Sequence, residues 1–410
     1  MRLLSLVLLA TAVAACSDGP SDPSPPGPPA SLAVTSAQAS ARAGTALATP
    51  VTIKVQDDKS RGVPNQTVTF TVVAGGGTLA AASAISDAQG IVTLPTWTLG
   101  KSAVPQTVRA TLGSITADVP ATVTTAFNID VRFFGSSMTA EQQALFTNAA
   151  ARISAIIAGD VINVGVGSPV DLSFCGTGLP TLPAGQIDDV VIYAAVQDID
   201  GPGKVLAQAG PCLARDTVTT PSTQWRLPAV GVMNFDSADL ANLAAGGRLQ
   251  DVITHEMMHV IGVGTVWRAR RLMPADTSDF TFTGEQGRAG CIQVGGSAPC
   301  AVGVPVENTG GAGTRGGHWR ESVFDSELMT GFAENGAMPI SHLTIGSLAD
   351  LGYSVNANAA DTYTVPNTAA IAAKVAAEGN VAWEQVLQPA ATISRTGEVK
   401  RLPRTTERAP

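Results

Sequence analysis

The residues best suited to chemistry lie in the run Thr254-His255-Glu256-Met257-Met258-His259-Val260-Ile261-Gly262. His255 and His259 stand four apart, so on a helix they share one face and both imidazoles reach one metal ion. Glu256 lies beside that face, where its carboxylate can contact a metal-bound water without being a ligand. Zinc lowers the pKa of such a water to about 7, and a neighbouring carboxylate can take the proton. The chemistry read from this spacing is amide hydrolysis at one catalytic Zn2+. Glu256 acts first as general base and then as proton donor to the leaving amine. With four histidines in 410 residues, a chance match to His-Glu-x-x-His is roughly a one-in-a-thousand event.

A catalytic zinc takes three protein ligands and keeps a fourth position open. The position six residues past His259 is Thr265, so the third ligand must come from elsewhere. Two histidines remain. His318 lies in the glycine-rich stretch Gly313-Thr-Arg-Gly-Gly-His-Trp-Arg-Glu321, which can bend back toward a helix, and it is favoured as the third ligand. His342 precedes Leu343-Thr-Ile-Gly-Ser-Leu and reads as a surface or structural histidine at a helix start. A glutamate third ligand (Glu307, Glu321 or Glu327) is the weaker alternative. Gly262 and Gly264 end the helix on which such an acid would usually be delivered.

Elements must hold these groups in place. Leu249, Val252, Ile253, Met257, Val260 and Ile261 make the histidine-bearing helix apolar almost all round, so it is expected to be buried. A buried helix with two histidines and a glutamate needs a compensating partner, because unpaired buried polar groups are costly. A metal ion is such a partner. Around it an α+β region is expected over 127–356. Phe127-Asn-Ile-Asp-Val-Arg-Phe-Phe and Asp189-Val-Val-Ile-Tyr-Ala-Ala-Val read as strands, the second fully buried. Between them Thr139 and Gln142 form a capping box for a helix reaching Ile157.

Residues 31–125 have another texture. Val51, Ile53 and Val55 alternate with Thr52, Lys54 and Gln56, and Val68, Phe70 and Val72 alternate with threonines. Glycine-rich turn signals separate the runs, which predicts an all-β sandwich. Pro50-Val-Thr-Ile-Lys-Val, Gly62-Val-Pro-Asn-Gln-Thr-Val-Thr-Phe and Asp87-Ala-Gln-Gly resemble bacterial immunoglobulin-like domains of the invasin and intimin type. That likeness implies a spacer or adhesion module.

The chain start addresses compartment. Arg2 followed by the apolar run Leu3–Val13 reads as a signal peptide over 1–15, too short to span a bilayer. Val13-Ala14-Ala15-Cys16 resembles a bacterial lipoprotein signal, with Cys16 as the lipidated residue. A proline-rich linker, 16–30, would then hold the folded part off a membrane. The expected location is the cell envelope, surface-exposed or facing the periplasm. Four further cysteines suggest two disulfides in an exported protein. The short Cys291–Cys300 interval reads as a stapled loop, leaving Cys175–Cys212. The net charge of −8 argues against a nucleic-acid partner, and nothing in the sequence sets an oligomeric state. Residues 357–410 are expected as a tail, flexible at its end and helical over 367–388.

Together the motifs resemble leishmanolysin and its bacterial relatives, within the metzincin metallopeptidases. The likeness rests on His255-Glu-Met-Met-His-Val-Ile-Gly262, Gly317-His318-Trp-Arg-Glu, Asp325-Ser-Glu-Leu-Met329-Thr-Gly and Leu348-Ala-Asp-Leu-Gly-Tyr353. Ala229-Val-Gly-Val-Met-Asn and Val190-Val-Ile-Tyr also fit. In that family a long insertion displaces the third histidine, which the departure at Thr265 matches. The resemblance implies that Met329 is the Met-turn methionine beneath the zinc ligands, and that the substrates are extended peptides or proteins. The expected function is a zinc endopeptidase acting on extracellular proteins. The alternatives are a non-catalytic adhesin or scaffold with a structural metal, and a hydrolase of non-peptide amides.

Overall fold

The computed structural model describes residues 25–36, 38–135, 138–274, 279–311, 313–332, 336–366 and 384–403. The expected signal peptide, Cys16 and most of the linker lie outside these residues.

The front region is all-β, as the period-2 alternation requires. One sheet joins β1 (Ser31–Val34), β3 (Thr52–Gln56) and β7 (Ile91–Thr93). The other runs β2 (Ala39–Ala41), β10 (Ile115–Val123), β9 (Gln106–Leu112), β4 (Thr67–Ala74) and β6 (Ser83–Ile85). A small ladder pairs β5 (Gly77–Leu79) with β8 (Trp97–Leu99). Ile53, Val55, Val68, Phe70, Val92, Trp97, Val108 and Val119 all point inward and are buried. Their polar neighbours face out, as one-faced burial dictates.

The following region is α+β and is built on one mixed sheet. Strands β11 (Ile129–Phe133), β14 (Val190–Gln197) and β16 (Pro228–Asp236) run parallel. β15 (Ala207–Arg215) lies antiparallel to β16. The side ladder β12 (Val164–Val166) with β13 (Gly185–Ile187) packs nearby. α1 (Ala140–Ile156) starts on the expected capping box, with Gln142 N–H donating to Thr139 Oγ1 at 3.2 Å and Thr139 N–H to Gln142 Oε1 at 2.9 Å. α2 (Leu240–Ala245) leads into α3 (Leu249–Val260), which carries His255 and His259 and is buried along almost its whole length.

Two glycines fix where α3 lies. A Cβ on Gly231 in β16 would meet Val260 Cγ1 at 2.1 Å, so only glycine lets the helix sit this close to the sheet. Gly264 has φ +75°, and a Cβ there would meet Gly317 O at 2.0 Å. The turn after α3 is thereby pressed against the loop that bears His318. Tyr353 Oη–H donates to Ile261 O at 2.8 Å and pins the same turn.

Between α3 and that loop come β17 (Thr281–Phe282), α4 (Glu285–Gln293) and β18 (Val304–Pro305). α5 (Glu321–Phe324) and α6 (His342–Leu351) follow. Both expected disulfides are present, Cys175–Cys212 and Cys291–Cys300.

The C-terminal stretch departs from the expected tail. Residues 367–383 lie outside the described residues, but Glu384–Val386 is a strand (β19), not the end of a helix. β20 (Ala391–Ile393) and β21 (Val399–Arg401) follow, so the basic end is ordered sheet through Arg401. β19 and β20 both pair parallel to β15, which makes this stretch part of the main sheet. The pairing partners lie some 177 residues apart (Gln208 with Gln385), so local pattern could not reveal them. Among the described residues no helix is long and apolar enough to cross a membrane.

Candidate metal centre

The structure brings His255, His259 and His318 together. All three are fully buried. Their Nε2 atoms lie 3.0 Å (255 to 259), 2.9 Å (259 to 318) and 3.2 Å (255 to 318) apart. Each Nδ1 faces a backbone carbonyl: Leu328 O at 2.6 Å for His255, Val263 O at 2.8 Å for His259, and Thr314 O at 2.7 Å for His318.

These contacts settle what the site needs. A carbonyl oxygen only accepts, so each Nδ1 carries a proton and Nε2 is the ring atom left to bind a cation. Three Nε2 atoms thus converge in a dry interior, an arrangement that a cation satisfies. A tetrahedral ion with arms of about 2.0–2.1 Å holds its nitrogens roughly 3.3 Å apart, close to the spacing seen. The carbonyl contacts also orient the rings, as outer partners of metal ligands do. The residues therefore fit a zinc ion.

Each ring is placed by a different local cause. The 3.6-residue period puts His255 and His259 on one face of α3. His318 comes from the glycine-rich loop, which Gly264 and Gly317 allow to approach. Burial pushes the His259 pKa down to about 4, against the pull of a nearby carboxylate, Glu384. Burial pulls the His318 pKa down, but the charge and hydrogen bond of Glu384, with the Thr314 carbonyl and Glu307, together carry it above its ordinary value.

Glu256 is fully buried beside the rings, and neither carboxylate oxygen has a hydrogen-bond donor. Burial raises its pKa, and the charge of Glu384 raises it further. A buried carboxylate whose one polar neighbour is a second acid, Glu384, is poised for a proton rather than for structural support.

The other acids named from sequence are committed elsewhere. Glu307 accepts from the N–H groups of Asn308, Thr309 and Glu321. Glu327 accepts from Met329 N–H, Ser341 N–H, Ser341 Oγ–H and Thr344 Oγ1–H. Glu321 begins α5. None of the three joins the group of side chains that converge on the rings. His342 starts α6 behind its N-cap Ser341, half-buried and away from the site. Met329 is buried between the residue that holds His255, Leu328, and Thr330, and its carbonyl accepts from Trp319 N–H, next to His318.

One acid was missed. Glu384 of β19 lies among the imidazoles, 3.1 Å from His255 Nε2 and 3.4 Å from His259 Nε2, and its Oε1 contacts His318 Nε2. The only sequence signal was an acid isolated in the apolar run Val381-Ala-Trp-Glu-Gln-Val-Leu387.

A helix-borne histidine pair, a third imidazole from a loop and an uncommitted glutamate are the parts of a metal-dependent hydrolase. Residues 181–382, a little under half of the chain, match the family model described as Leishmanolysin, a likeness that supports a metallopeptidase. A leishmanolysin homolog of Crithidia fasciculata is 29% identical over 139 residues, which cover 31% of this chain and 20% of that one. The chain thus spans about a fifth of that relative's length. The front region is similar to the C-terminal 282-residue fragment of intimin, crystallised with the translocated intimin receptor's intimin-binding domain. That match has 23% identity and a TM-score of 0.18, over 22% of this chain and 31% of the other. Invasin, a bacterial integrin-binding protein, matches over 45% of this chain and 30% of its own, with 13% identity and a TM-score of 0.20.

Proposed function

We propose that the protein is a zinc-dependent endopeptidase in which His255, His259 and His318 hold the ion and Glu256 is the general base. The observation that carries this reading is the convergence of three Nε2 lone pairs beside a buried carboxylate without donors. When bound, the ion supplies a Lewis acid that polarises the scissile carbonyl and acidifies a water. Glu256 takes the proton from that water at its free oxygens and returns it to the leaving amine. The Nδ1–H contacts to Leu328, Val263 and Thr314 hold the three rings with their lone pairs inward throughout. In this reading Met329, buried and next in the chain to the His255 support Leu328, is the Met-turn residue beneath the ligands.

The substrates in this reading are extracellular proteins or extended peptides. The chain is exported and anchored through a lipid on Cys16, and the front sandwich serves as a spacer or adhesion module. A second reading has support in one observation. Four inward donors, counting Glu384, are also what a structural zinc site has.

Casein hydrolysis before and after chelation, with zinc content measured in parallel, tests the main reading. One zinc per chain is expected, with activity lost on chelation and restored by zinc. His318→Ala should lose both metal and turnover, whereas His342→Ala should keep both. Full zinc content in His318→Ala would remove that residue from the ligand set.

A further inference from the structure

We propose that Glu384 is a fourth ligand of the metal, so that strand β19 closes the site and keeps the turnover of the protein low. This inference rests on the zinc-peptidase reading above and adds a ligand to it.

The geometry sets Glu384 apart from every other acid near the site. Its carboxylate touches all three imidazoles on their Nε2 side, the side that faces the ion. It is fully buried, at 2% exposure for the residue. With each Nδ1 facing a backbone carbonyl, the three Nε2 atoms and the carboxylate oxygens of Glu384 all point at one shared centre. Burying a carboxylate in a dry interior is costly unless an opposite charge lies against it. A divalent ion at the shared centre satisfies all four groups at once. Three imidazoles and one carboxylate complete a tetrahedral zinc sphere and leave no position for water or substrate.

The strand that delivers Glu384 is built into the fold. β19 pairs in register with β15, Ala207 opposite Glu384 and Ala209 opposite Val386. Leu387 N–H donates to Ala209 O at 2.7 Å, and Gln208 Nε2–H to Gln385 Oε1 at 2.8 Å. Two glycines make room for its backbone. A Cβ on Gly313 would meet Glu384 O at 2.0 Å, and one on Gly210 would meet Leu387 O at 2.1 Å. The first of these glycines opens the loop that carries His318, so the same loop seats both a ligand ring and the closing strand. Opening the site requires the Glu384 carboxylate to leave the ion.

The test compares full-length wild type with Glu384→Gln and Glu384→Asp. Zinc affinity is measured by competition with a chromophoric chelator, and the visible spectrum is recorded after cobalt substitution. Glu384→Gln keeps the side chain's size and removes its charge, and near-UV circular dichroism checks that it folds. Expected is a loss of about 10–100-fold in zinc affinity, the scale seen when groups around a metal are removed. The cobalt spectrum should change, and Glu384→Asp should recover part of both. Casein hydrolysis should rise in Glu384→Gln, because the closed position becomes accessible. Unchanged affinity and cobalt spectrum in Glu384→Gln would overturn the ligand assignment and leave Glu384 as an ion-pair partner of a protonated imidazole. Should affinity fall as expected while no variant hydrolyses casein, the ligand assignment stands and the peptidase reading fails. If Glu384→Gln does not fold, the cobalt spectrum of Glu384→Asp against wild type decides alone, an identical spectrum overturning the proposal.

Discussion

At the scale of single residues, roles divide by which polar atoms already have partners. Glu256 has no N–H or hydroxyl donor among the described residues, and Glu327 has four donors; both are buried carboxylates. The two should respond differently to the same change. Glu256→Gln should retain zinc and fold, yet lose about 10²–10⁴-fold in turnover, as loss of a general base does. It should be assayed in the Glu384→Gln background as well, where the site is open. Turnover within a few-fold of the parent would assign the base elsewhere. Glu327→Gln instead places an NH2 against Met329 N–H. That clash should cost about 1–3 kcal/mol in urea unfolding of the metal-free protein, the cost of an unsatisfied buried donor. Because Leu328 O orients the His255 ring, zinc affinity should weaken too. Unchanged stability in that variant would show the Glu327 network to be dispensable.

The element scale shows what sequence could convey and why it stopped. α3 was legible because its apolar residues recur on nearly every face and its two histidines are bound by helix geometry. α1 was legible from the Thr139–Gln142 box, and the front strands from strict alternation of Val, Ile and Phe with Thr. The loop with His318 was legible only as a glycine-rich segment able to turn back. What it turns against, Gly264, is a matter of chain approach 53 residues away. β19 to β21 were not legible, because each is three residues long, β19 and β20 acquire their register from β15 far earlier in the chain, and β21 pairs only with β20. An apolar run of that length fits helix and strand spacing equally. Glu384 was therefore invisible as a site residue, since nothing local says which buried strand it belongs to. The close seat of α3 on β16 makes a further expectation at this scale. Gly231→Ala should destabilise by about 1–3 kcal/mol through overpacking against Val260. Val260→Ala in the same chain should recover most of the loss, because it removes the methyl groups that the new Cβ meets. Absence of that recovery in a double-mutant cycle would mean that the contact is relieved by backbone movement and does not position the helix.

For the whole molecule, the ion joins pieces of chain that are far apart in sequence. His255 and His318 are separated by 63 residues, and His255 and Glu384 by 129. Their supports come from the turn after α3, the glycine-rich loop and the Leu328 segment, so four stretches converge on one point. Binding of an ion to the native state alone should then stabilise the assembled region by mass action. At free zinc of about 100 times Kd the gain is about 2.7 kcal/mol. For a folded region of some 150–250 residues this corresponds to a midpoint shift of roughly 5–10 °C. Chelation should lower the thermal midpoint by that amount, and added zinc should restore it. His255→Ala, lacking one lone pair, should be indifferent to both treatments, whereas Glu256→Gln should respond like wild type because Glu256 supports the reaction and not the metal. A midpoint in wild type that ignores chelator and zinc alike would show that the three imidazoles pack without an ion, and the convergence of these segments would need another cause.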